Sequence, residues 1–439
     1  MPTSLRILAL NLALVSSLHA TVIGTSKPAE SITEARIAQL PAKDRAAWTA
    51  YLKRSQQQRI ADQAALAAER KPGQPLPPMA QESGAGRSMP LNRASSWYSS
   101  PEAQHIAEVI VSFQTPAGGW SKNLDMTGPA RTPGQSYTSD NLNKHPSIAD
   151  FDTPRDPAWN YVGTLDNDAT TTEIRFLALA AAAAPEHASL YRASILKGVR
   201  YLLAAQFPNG GWPQVWPLEG GYHDAITYND NAVTQAAELL TAISTGEPPY
   251  AFVPADLRHQ SAAASSHALH CILTTQVIVK GRRTIWAQQH DALTLLPTTA
   301  RNYEAVSLAT GESADLLLYL MNLPHPSKQV VDAVEAGVAW LKTNAIYGQQ
   351  WSGGRDTPGG RHLSPVSSAG PLWARFYSIE TEQPIFGDRD KTIHDNVADL
   401  SAERRNGYTW YSSGPQKALE TYPAWRDAHL QPSRASNRS

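Results

Sequence analysis

Gln206-Phe207-Pro208-Asn209-Gly210-Gly211-Trp212 decides the fold, because Gln114-Thr115-Pro116-Ala117-Gly118-Gly119-Trp120 stands 92 residues before it. Each copy closes an apolar helix-like run, residues 103–113 in the first and 191–205 in the second. Proline forbids continuation, glycine supplies the left-handed termination, and the tryptophan folds back onto the apolar face. Gly198-Val199-Arg200-Tyr201-Leu202 resembles Gly337-Val338-Ala339-Trp340-Leu341, which predicts a third copy whose Gly-Gly-Trp tail has decayed. Helical patterns fill 171–183, 231–244, 255–272, 312–322 and 329–344. Only 275–286 reads as a hairpin, around Lys280-Gly281-Arg282. Helix pairs repeated with aromatic turns predict a mainly α fold, an α/α toroid or barrel with a small β-hairpin element.

Outside this repeat the chain changes character. Residues 1–20 read as a signal peptide: Arg6 supplies the charge, 7–15 is apolar apart from Asn11, and Ala20 offers a cut. The expected product is exported, secreted or periplasmic, with no membrane span. Residues 21–95 read as an appendage: a helix over 42–70, then a Pro/Gly/Ser-rich connector. The main domain is expected over 96–430, followed by a flexible tail at 431–439.

The 439 residues are 42% apolar, enough for a large core, and 18% charged against a usual ~25%. The 38 Lys and Arg nearly cancel 39 Asp and Glu, which argues against a nucleic-acid partner. A single cysteine, Cys271, forbids an intrachain disulfide and any Cys-rich zinc site, and reads as a small buried apolar residue.

Hard oxygen donors are densest at Asp166-Asn167-Asp168-Ala169-Thr170-Thr171-Thr172-Glu173, just before a helix, as calcium prefers. The glycine and glutamate of an EF-hand are absent. Thr170-x-x-Glu173 is also a capping box, so Glu173 has a purely structural reading. Tyr222-His223-Asp224-Ala225-Ile226-Thr227-Tyr228-Asn229-Asp230 holds the same position before the next helix, where Asp230 also reads as an N-cap. Residues 355–405 carry six arginines and one lysine, a choice that suits bidentate grips on carboxylates, although eight acids share the stretch. Ala300-Arg301-Asn302-Tyr303-Glu304 adds another arginine. Gln289-His290-Asp291 reads as structural. A glycoside hydrolase using Asp166 and Asp230 as acid and base, and a non-catalytic acidic-polysaccharide-binding protein, are the competing readings.

These strings, with Gly118-Gly119-Trp120-Ser121-Lys122-Asn123, Trp373-Ala374-Arg375-Phe376-Tyr377, Gly387-Asp388-Arg389-Asp390 and Glu403-Arg404-Arg405-Asn406-Gly407-Tyr408, resemble polysaccharide lyase family 10, the pectate lyases. The resemblance spans about residues 100–412. It implies an (α/α)3 toroid, Ca2+ dependence and endo-cleavage of polygalacturonate by β-elimination, in a monomer. Carried over by position, Asp166, Asp168 and Asp230 are metal ligands and Arg301 is the proton-abstracting base. Lys122, Asn167, Arg375, Arg389 and Arg404 hold substrate. Asp168 replaces an expected glycine, and Ser121 an expected proline. Elimination removes the C5 proton beside an anionic carboxylate, so calcium and guanidinium charge would stabilise the developing enolate-like anion.

Overall fold

A computed structural model describes residues 21–84, 86–139, 149–151 and 162–429; the expected signal peptide and the expected tail at 431–439 lie outside them. In chain order the helices are α1 (Glu34–Ile37), α2 (Ala42–Glu69), α3 (Pro101–Ser112), α4 (Thr171–Ala183), α5 (Ala188–Ala205), α6 (Ala232–Thr245), α7 (Ala255–Thr275), α8 (Thr310–Met321), α9 (Lys328–Thr343), α10 (Ala402–Gly407) and α11 (Gln416–His429). The pairs α4/α5, α6/α7 and α8/α9 are antiparallel hairpins, the three units of an (α/α)3 toroid.

The Gln…Gly-Gly-Trp motif builds this ring by two bonds. Its tryptophan returns an indole N–H to the preceding helix: Trp120 to Ile110 O at 2.7 Å in α3, and Trp212 to Leu202 O at 2.8 Å in α5. Its glutamine amide donates to its own turn and to the next outer helix. Gln114 reaches Gly118 O (2.8 Å) and Ser194 O (2.9 Å); Gln206 reaches Gly210 O (2.9 Å) and Ala264 O (2.8 Å). Gly210, at φ 95°, admits no side chain, since a Cβ there would lie 2.1 Å from His267 O.

The expected third copy requires a correction. Its bonds recur at Gln276, donating to Thr284 O (2.8 Å) and Ala333 O (2.9 Å), and at Trp286, donating to Ile272 O (2.7 Å). The hairpin of Ile278–Val279 with Arg282–Arg283 is inserted between them, which hid the repeat from spacing alone. The run at 337–341 lies in α9 and belongs to a fourth member. Its tryptophan is Trp373, donating to Leu341 O at 2.8 Å after a second hairpin, Gln349–Ser352 with His362–Pro365. The tail was interrupted, not lost.

After each tryptophan the chain crosses to an inner helix through two-residue antiparallel pairings. Gly163–Thr164 pairs with Val215–Trp216, Ile226–Thr227 with Gln289–His290, and Leu308–Ala309 with Phe376–Tyr377. These pairings gather the N-terminal ends of α4, α6 and α8 at one face of the ring.

Residues 21–95 are not an appendage. Trp48, Tyr51 and Leu52 of α2 belong to the main core, and the Tyr51 hydroxyl donates to Ala205 O at 2.9 Å. The apolar stripe is narrow because the helix lies on the outside of the ring, so its polar residues masked the docking face. Cys271 is buried, and burial pushes its thiol up to about 12, consistent with an inert core residue. No helix among the described residues is long and apolar enough to cross a membrane.

Candidate active site

The inner-helix end is built from two unusual turns. Asp166–Asp168 precedes α4 and Asn229–Asn231 precedes α6. Asn167, Asp168, Asp230 and Asn231 take left-handed φ values of 52°, 63°, 52° and 57°. Short polar side chains tolerate that region, but Thr170 at φ 66° does not, so its neighbours must hold it there. Thr170 Oγ1 donates to Thr164 O at 2.8 Å and accepts from Trp120 N at 3.0 Å. The tryptophan motif therefore fixes the strained turn. Thr170 makes no side-chain cap, whereas Glu173 accepts from the Thr170 backbone N–H and completes half of the capping box. Burial pushes its carboxyl up to about 8.

Asp166 and Asp230, from the two turns, are hydrogen-bonded to each other. Burial alone would raise Asp166, but the Lys122 ammonium paired with it, the Asp230 bond and the Arg301 charge hold it well below the usual carboxylate range. Asp230 is pushed up to about 8, first by desolvation and then by the bond to Asp166 and its charge, with Glu312 adding to it. Two carboxylates this close share one proton. His223, stacked on Tyr222, is driven down to about 3 by burial and by Lys122, and so stays neutral.

Facing this pair is an arginine fan. Glu304 grips Arg301 through Nε at 2.8 Å and Nη2 at 2.5 Å, leaving Nη1 without a partner among the described residues. The Arg301 side chain retains 39% exposure although protein crowds it, the signature of a cleft wall. Arg375 donates to Glu312 Oε1 at 2.6 Å, and Arg389 to Glu403 at 2.8 Å. Tyr303 and Tyr408 stand between these cations at a centroid separation of 5.2 Å. Arg404 lies 4.2 Å from the Tyr303 ring, Arg375 4.9 Å from Tyr408, and Arg301 5.0 Å from Tyr303. Like charges tolerate this crowding because negative ring faces and Glu304 intervene. The Tyr408 hydroxyl donates to Glu304 Oε1 at 2.6 Å.

A sequence model of the family described as pectic acid lyase matches residues 114–419. The chain belongs to the pectic acid lyase family. The lyase is similar to the family 10 polysaccharide lyase from Cellvibrio cellulosa at 28% identity and TM-score 0.63, over 77% of this chain and 96% of that one. It is also similar, at 27% identity and TM-score 0.63, to an aspartate-to-alanine mutant of that enzyme in complex with trigalacturonic acid, over 78% of this chain and 99% of that one. No curated protein sequence matches. The lyase is a pectate lyase, a member of polysaccharide lyase family 10. The hydrolase reading also fails on geometry, since Asp166 and Asp230 touch, whereas glycosidase carboxyls stand about 5 to 9.5 Å apart to admit a sugar.

Of the residues singled out in the sequence, Asp166, Asp230, Lys122 and Arg301 interact directly or electrostatically, with Arg375, Arg389 and Arg404 in the adjoining fan. Asn167 donates to Asn123 Oδ1 at 3.0 Å. Asp168 faces elsewhere: its Oδ1 accepts from Gln235 of α6 at 2.5 Å. Among the described residues no three His, Cys, Asp or Glu side chains converge on one point, so 166, 168 and 230 form no three-carboxylate cage. His290 is buried and bonded to Leu295 O at 2.9 Å, as its structural reading required. Glu304, Glu312, Tyr303, Tyr408 and His223 were not assigned roles from sequence. Glu304 had one signal, its position three residues after Arg301.

Proposed function

We propose that the lyase is an exported, calcium-dependent, monomeric endo-lyase of polygalacturonate that acts by β-elimination. The observation that carries this reading is the Asp166–Asp230 pair, two buried carboxyls brought together by neighbouring turns and set opposite a fan of arginines. A divalent cation fits the donors present. Asp166 and Asp230 supply hard anionic oxygens, and Asn229 Oδ1 and Glu312 Oε2 are buried oxygens with no hydrogen-bond partner. Asp166 and Asp230 would hold the ion, and Asp168 would only brace their turn through Gln235. When bound, calcium would neutralise the uronate carboxylate and stabilise the charge that develops as C5 loses its proton.

The chain's own residues do the rest. Arg375, Arg389 and Arg404 carry charge fixed by their acidic or aromatic neighbours and suited to uronate carboxylates. Lys122, held by Asp166, places a further ammonium at the acidic pair. Arg301 Nη1 is the atom we assign to the C5 proton. The C5–H electron pair becomes the C4–C5 double bond, the C4–O4 bond breaks, and a proton from water ends on the departing O4. Burial would lower Arg301, but Glu304 outweighs it and holds the guanidinium protonated in the free protein. The neutral, proton-accepting form is therefore favoured only at the alkaline end.

The family and the trigalacturonic acid bound by the Cellvibrio mutant support the substrate. The test is ultraviolet absorbance of the new double bond on polygalacturonate, with added calcium and with EDTA. Signal only with calcium, and early long products, are expected; full rates in EDTA would remove the cation from the reading.

A further inference from the structure

Residues 21–37 precede the family-matched stretch, yet they lie across the loops that carry the site. Val22–Thr25 pairs antiparallel with Thr392–His394, and Ser26 N donates to Lys391 O at 2.8 Å, two residues from Arg389. Thr299 Oγ1 donates to Lys27 O at 2.6 Å, two residues from Arg301. Ala29 packs with Tyr222 and Ala300, the neighbours of His223 and Arg301. Gly221 N donates to Ser31 Oγ at 3.0 Å.

Arg36 fastens this segment. Its guanidinium pairs with Asp291 at 2.7 Å and donates to Glu30 O at 3.2 Å and Ser31 O at 3.1 Å. Both partners are largely buried, with side-chain exposures of 18% and 13%. Asp291 follows the Gln289–His290 strand, whose pairing with Ile226–Thr227 leads into Asp230. One guanidinium thus joins the segment's backbone to the loop that follows the Gln289–His290 strand.

We propose that residues 21–37 are a positioning strap that orders three loops of the cleft, with Arg36 as its fastening. This inference rests on the proposed roles of Arg301 and Arg389. Surface loops are by default the mobile part of a fold. Here two of them present cations that repel, and a misplacement of ~1 Å is enough to cost ~100-fold in rate. The inner helices fix the carboxylate turns, while the arginine loops take their order from the strap. Arg36 touches no substrate-facing group and acts through Asp291, the Glu30 carboxylate at 2.9 Å and the Glu30–Ser31 backbone.

The test uses the full chain. Arg36→Ala should lower kcat on polygalacturonate about 10-fold and raise KM about 5- to 10-fold, because both Arg301 and Arg389 lose their placement. Amide hydrogen exchange at 221–224, 299–301 and 388–392 should accelerate at least 10-fold, with α6 and α8 unchanged. Arg36→Lys keeps a cation for Asp291 but loses the fork to Glu30 and Ser31, and should fall between. Should Arg36→Ala fold poorly, Ser31→Ala, which removes only the acceptor for Gly221, must still accelerate exchange at 221–224. Unchanged exchange in these loops, or equal acceleration throughout the ring, would overturn the strap. The exchange readout needs no turnover, so it is independent of Arg301→Ala, whose undiminished activity would instead sink the functional reading.

Discussion

Glu304 holds Arg301 by three bonds, through Nε at 2.8 Å, Nη2 at 2.5 Å and the Arg301 backbone N at 3.0 Å. Glu304 itself is 2% exposed and held down to about 2, where Arg301 overcomes its burial. The pair aims Nη1 and also keeps the guanidinium charged. Aim and basicity therefore oppose each other.

That opposition has a sign. Glu304→Gln removes the anion that stabilises protonated Arg301, so Arg301 should lose its proton more readily. The acidic limb of the kcat/KM profile should move to lower pH, while kcat at the optimum falls about 10-fold from lost aim. A shift to higher pH, or an unmoved limb, would show that Arg301 acts as a cation. Arg301→Ala should lose roughly 1,000-fold in kcat while retaining substrate binding.

Arg375→Lys should raise KM about 10-fold. Lysine has no flat face for Tyr408 and no fork to span Glu312 and a uronate. Steady-state kinetics checks this; an unchanged KM removes Arg375 from substrate binding.

Asp230→Asn should weaken calcium binding by at least 10-fold, read by titration calorimetry without substrate. It removes the carboxyl whose proton a cation would displace, yet leaves Asp166 paired with Lys122. Undiminished affinity would place the ion elsewhere.

Gly210→Ala should destabilise the ring by ~3 kcal/mol or more, because left-handed backbone and a 2.1 Å clash with His267 O coincide. Gly221→Ala, at φ 63° with nothing within 4 Å of the added Cβ, should cost only about 1 kcal/mol. Urea denaturation of both separates clash from conformation.

Asp62 of α2 is fully buried, with Oδ2 unpartnered and its carboxyl pushed up to about 6 by desolvation, against a Gln58 bond and the Lys197 charge. A raised carboxyl costs stability that grows as pH climbs from its unfolded value toward 6 and is constant above. Asp62→Asn should therefore stabilise the lyase by about 1–2 kcal/mol at pH 7.5 and hardly at all at pH 4. Thermal melts at both values check it.

What could be read locally was read. Pro-x-Gly-Gly-Trp marks two helix ends by backbone chemistry that needs no partner, and apolar periodicity placed eight helices, α2 to α9, and a hairpin within 275–286. Asp166, Asp230 and Arg301 were legible because ordered motifs surround them. The hidden third repeat was not, since its hairpin insertion destroys the spacing while leaving the Gln276 and Trp286 bonds intact.

The sequence by itself determined the repeated helix pairs, the family and the residue types of the site, because each depends on short-range order in the chain. Tertiary structure alone decided that Asp168 turns to Gln235, that Glu304 charges Arg301, and that residues 21–37 lie over the cleft. Those outcomes depend on which distant groups share a low-dielectric space, and charge burial and hydrogen-bond partnership have no signature along a single strand of residues.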